Sequence, residues 1–91
     1  MRIKGEIVRK RLYKKNGNLN YYLLFLRIHD GVLVNGLRIH YIPALISYKM
    51  NFSLGQQVDI KGNIKFQRII TPSGTLSFSP IPVIISSDSG L

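Results

Sequence analysis

Apolar residues recur at every second position through most of the chain, the period of a half-buried strand, and Gly, Pro and Asx residues cut that pattern into short segments. Ile3, Gly5 and Ile7 alternate with Arg2, Lys4 and Glu6, and the segment runs on to Tyr13. It predicts a long first strand with a bulge or kink near Gly5. Lys14 to Asn18 then turns the chain into a second strand over Tyr21 to His29. Tyr22, Leu24, Leu26 and Ile28 make one face of that strand. Tyr21, Leu23, Phe25, Arg27 and His29 make the other, which reads as aromatic and basic. Asp30-Gly31 and Asn35-Gly36 both fit the hairpin leading into Leu37 to Ile42. Pro43 is expected to end that third strand, and Ala44 to Asn51 is the one stretch with room for a short helix. Gln57 to Gln67 alternates most clearly, with Val58, Ile60, Ile64 and Phe66 on its apolar side. Thr71 to Gly74 makes a reverse turn, Leu76 to Ile85 a last strand, and residues 86–91 a frayed tail.

Five strands with one short helix-like connection between the third and fourth is the element order of an OB-type barrel, so the expectation is an all-β, single-domain OB barrel over residues 1–91. SH3-like barrels compete on strand count but lack a connection at that place. No apolar run approaches the length of a membrane-spanning helix, and the alternating N-terminus reads as a first strand rather than a signal segment, which suggests a cytoplasmic protein away from membranes. The chain has no cysteine, so disulfides and thiolate metal sites are excluded.

Charge changes the picture most. Thirteen Lys and Arg face four Asp and Glu, a formal net charge of +9. Such a surplus repels itself unless a polyanion neutralises it. Acid-base catalysis finds little to work with, because the chain offers only two histidines, and His29 and Asp30 are strand neighbours that point to opposite faces. Neither a catalytic site nor a metal site or other cofactor is expected. What stands out is cations interleaved with aromatics. Arg9, Lys10, Arg11, Tyr13, Lys14 and Lys15 cluster at the first hairpin, five like charges within seven residues, and Tyr21, Phe25 and Arg27 share a strand face. Lys4, Lys61, Lys65 and Arg68 extend the basic track. Single strands are bound in this way: bases stack on exposed rings while Lys and Arg follow the phosphates. Tyr13, Tyr21 and Phe25 are the expected stacking rings, Tyr22 and Phe66 are expected in the core, and Tyr41 is undecided, with burial or a subunit interface favoured over base contact.

The segment from Leu54 to Ile64, with Gly55, Val58, Ile60 and Gly62, resembles the fourth-strand signature of bacterial single-stranded DNA-binding proteins. Ile42 to Ser47, Ile84 to Gly90 and the Gly5-Glu6-Ile7-Val8 start look like the matching stretches of the small primosomal (PriB-type) members of that family. The resemblance implies a homodimeric OB barrel that binds single-stranded DNA without sequence preference and assists replication or replication restart beside a helicase. Two features depart from the pattern. The chain has no tryptophan for base stacking and no long Gly/Pro-rich linker with an acidic tip. Two other partners suit the same charge: single-stranded RNA, and an acidic protein in an assembly.

Overall fold

The alternating segments form five strands, each longer than the pattern alone predicts. The protein is described by a computed structural model over residues 1–16, 19–46, 52–71 and 74–87. The strands are β1 (Arg2–Asn16), β2 (Leu19–Val34), β3 (Leu37–Ile46), β4 (Gln57–Thr71) and β5 (Gly74–Ser86). They form one sheet that closes on itself in the order β1-β2-β3-β5-β4. All pairings are antiparallel except a short parallel seam, where Ala44 and Leu45 of β3 meet Ile84 and Ile85 of β5.

Closure depends on long strands that change neighbours along their length. β1 pairs with β4 over Arg2 to Glu6 and with β2 from Glu6 to Asn16. β4 pairs with β1 over Gln57 to Lys61 and with β5 from Gly62 onward. Gly62 stands at that change. Its N–H donates to the Met1 carbonyl at 3.0 Å, and a Cβ there would lie 2.1 Å from the Ile85 carbonyl oxygen, so no other residue fits without moving backbone.

Several expectations are corrected. The irregularities of β1 fall between Ile7 and Arg9 and between Leu12 and Lys14, not at Gly5, whose pairing is regular. Lys14, Lys15 and Asn16 continue the ladder opposite Tyr21, Asn20 and Leu19 instead of turning the chain. Asn35 (φ 51°) and Gly36 (φ 80°) close the β2–β3 hairpin as a pair of left-handed residues, the turn whose twist suits flanking strands. Asp30-Gly31 instead sits inside β2, where the register with β3 shifts between Arg27 and Val32. Pro43 does not end β3. It faces Phe25 on the β2 side, and β3 meets β5 only from Ala44, so the flank away from β2 is free there and tolerates a residue without an N–H. The expected short helix begins on residues that are strand (Ala44 to Ile46), and its remainder lies outside the described residues, which contain no helix. Ser86, assigned to the frayed tail, is buried in β5, and Ser87 donates through N and Oγ to the Lys61 carbonyl. Residues 88–91 lie outside the described residues.

Inward-facing residues make the main core: Ile3 and Ile7 of β1, Leu24, Leu26 and Ile28 of β2, Ile42, Ala44 and Ile46 of β3, with Ile60 and Ile84. A second cluster lies on the opposite face of the sheet, where Leu23, Leu45, Ile69 and Val83 are buried together. Leu23 and Leu45 face each other across β2 and β3, while Ile69 belongs to the far arm of the β4–β5 hairpin. That arm therefore leans over the outer face and covers part of it.

Candidate nucleic-acid interface

The outer face of β1, β2 and β3 is laid out in rows by the strand register. Glu6, Arg27 and Tyr41 lie opposite one another in one row, Arg9, Phe25 and Pro43 in the next, and Arg11, Leu23 and Leu45 in a third. Lys4 and Arg2 continue the face toward β4, opposite Asp59 and Lys61. At the Glu6 end an open groove of about 1000 Å³ is lined by Arg2, Lys4, Glu6, Arg27, Asp30 and Tyr41, with His29 and His40 beside them.

Two carboxylates on this face are already engaged. The Arg27 guanidinium donates to Glu6 Oε1, and Arg2 reaches Asp59 Oδ2 at 3.4 Å. Arg9 stands over the Phe25 ring, 6.0 Å from its centre, while Lys4 and Arg11 have no acidic partner among the described residues. Arg9 and Lys4 are exposed and Arg11 is half-buried. Exposed ion pairs of this kind contribute little to stability.

The expected site residues separate into three groups. Lys4, Arg9, Arg11, Phe25 and Arg27 come together on the face just described, with Lys61 beyond them on β4. Tyr13 and Lys65 line a second, smaller cavity at the opposite end, and Arg68 is exposed where β4 loses register between Gln67 and Ile69. Lys10 does not join the face. The shift after Ile7 turns it to the side of Leu24, where its ammonium lies 4.7 Å from the centre of the Tyr22 ring and donates to the Phe52 carbonyl at 3.2 Å. There it covers the end of the main core. Lys14 and Lys15 extend β1, and their side chains lie outside what the structure describes.

The aromatic expectations change as well. Tyr13 and Phe25 are half-buried against the second apolar cluster, and Tyr21 is half-buried opposite Lys14, so none of the three is a freely exposed ring. Tyr22 packs on the main core as expected. Phe66 does not: it is 50% exposed, because it lies on β4 beyond the part that encloses the core. The open ring on the interface is Tyr41, 63% exposed in the groove and opposite Arg27. The sequence leaves it undecided because the displaced register inside β2 determines which residue of β2 it faces. Among the described side chains no three His, Asp or Glu are grouped to hold a metal, and no described helix is long and apolar enough to cross a membrane.

Comparison with protein-family models, with curated proteins and with solved structures finds no match for the chain.

Proposed function

We infer that this protein is a small OB-type module that binds single-stranded DNA, largely without regard to sequence and with no catalytic step of its own, in replication or replication restart. The observation that carries the reading is the outer face itself: Lys4, Arg9, Arg11 and Arg27 surround Phe25 and Tyr41, while Glu6 and Asp59 are each occupied by an arginine. Cations beside the exposed Tyr41 ring supply the two contacts that a single strand offers everywhere along its length, a phosphate and a base plane. The closed strand order with its parallel β3–β5 seam supports the OB assignment, because the strand β2–β3 face of such barrels is a surface on which oligonucleotides lie.

The test is fluorescence anisotropy of a labelled dT oligomer titrated with the protein at two salt concentrations, with duplex DNA and poly-U as competitors. Binding that weakens steeply with salt, and that duplex and poly-U compete poorly, is the expected result. Preference for poly-U would move the reading to RNA. Equal or absent binding to all three would overturn it, and an acidic protein surface would then be the partner to seek.

A further inference from the structure

The second cavity lies at the end of the outer face away from the groove. Its volume is about 110 Å³, and its lining is Tyr13, Leu45, Lys65, Gln67 and Ile85. Leu45 is buried and Ile85 half-buried, so the floor is apolar, with the half-buried Tyr13 as an aromatic wall. Lys65 is exposed and Gln67 half-buried, which puts the polar groups where a ligand would enter.

This combination selects a ligand class. The volume is far below the roughly 300–1,000 Å³ of sites that hold a whole drug-sized molecule, so the cavity takes one ring of something larger held outside it. A phosphate is a poor fit, since burying its charge against an apolar floor is costly and a single lysine offsets little of it. A flat heteroaromatic ring fits: it stacks on tyrosine, rests on aliphatic carbon and presents polar edges to the rim. The cavity is also placed for a base from the strand on the neighbouring face, because Leu45, in its floor, belongs to the row of Arg11 and Leu23.

We propose that the Tyr13–Lys65–Gln67 cavity is a pocket for a single pyrimidine base, which imposes a base preference at one position of an otherwise sequence-tolerant strand. The proposal rests on the single-strand reading above. Lysine carries donors only, so it requires an acceptor on the base, for which a ring carbonyl at the rim is suited, and the glutamine amide supplies a donor and an acceptor for the adjoining edge. Thymine, uracil and cytosine have a ring carbonyl and one ring. Adenine has neither a carbonyl nor the smaller size.

Labelled dT and dA oligomers of equal length, titrated by anisotropy, test this. The wild-type protein should bind dT roughly three- to tenfold more tightly than dA, the discrimination that one or two hydrogen bonds confer. Lys65→Met and Gln67→Ala should bring that ratio close to one, whereas Lys61→Met should weaken both oligomers and leave the ratio unchanged. To remove dependence on how well a variant folds, a dA oligomer carrying a single 5-iododeoxyuridine is irradiated with the wild-type protein, and the crosslink should map to the peptide containing Tyr13 or to that containing Lys65. Binding without discrimination, a ratio untouched by Lys65→Met and Gln67→Ala, or a crosslink mapping elsewhere would overturn the pocket and leave the single-strand reading standing. No binding of either oligomer would overturn both.

Discussion

Glu6 controls how much of the positive charge on the outer face is available to a ligand. Its carboxylate accepts from Arg27 in the middle of the cationic rows, so the pair is neutral where a phosphate would lie. Glu6→Gln should free Arg27, tighten binding of a dT oligomer and steepen its salt dependence by about 0.7 in the slope of log K against log salt, the increment of one further phosphate contact on a single strand. Lys10 and Arg9 make the converse comparison. They are neighbours in sequence, yet Lys10 covers the core end while Arg9 stands over Phe25. Arg9→Ala should weaken dT binding several-fold and Lys10→Met should change it by less than about twofold, as expected if the cations of the outer face act through phosphates. Strand alternation puts these neighbours on opposite faces; the extra residue after Ile7 decides that Arg9, and not Lys10, takes the outer one.

At the scale of the strand, the change of partner along β4 is the most sensitive point of the architecture. Gly62→Ala would press a methyl group into the Ile85 carbonyl, and backbone there cannot yield without opening the β4–β5 ladder. A loss of about 3 kcal/mol is expected, the upper part of the overpacking range. Thermal unfolding should fall by roughly 12 °C or more for a domain of this length. Gly55→Ala is the control. It has a positive φ of 83° but open space around the missing Cβ, so it should cost only about 1 kcal/mol of backbone strain. The β1 edge beyond Ile7 shows a different use of sequence. Arg9, Lys10 and Arg11 lie along a strand that pairs only with β2 at those residues, and like charges on such an edge oppose the addition of a second copy there.

For the whole molecule, the groove, the Arg9–Phe25 row and the small cavity lie in succession along β1 from Lys4 to Tyr13, a path of about 30 Å at the rise of a strand. A strand following that path would neutralise about four phosphates, through Lys4, Arg9, Arg11 and Lys61, and the slope of log K against log salt should then be about −2.8. A slope close to zero, measured by anisotropy over several salt concentrations, would mean that these cations do not meet phosphates. The sequence by itself determined the all-β class, the five strands and the β1 and β2 part of the main core, because alternation with period two fixes which residues share a face and turn residues mark where strands end. It also revealed the basic and aromatic composition of the interface, since net charge needs no structure to be counted. Only the tertiary structure decided the exact membership. An irregularity in β1 without any strong residue signal turns Lys10 to the Leu24 side, and one in β2 around Asp30-Gly31, where a hairpin turn is equally legible, sets Tyr41 opposite Arg27. The arm of the β4–β5 hairpin buries Leu23 and half-buries Phe25 through contacts between residues distant in sequence. A local pattern records how a strand alternates, but not which other part of the chain will come to lie across it.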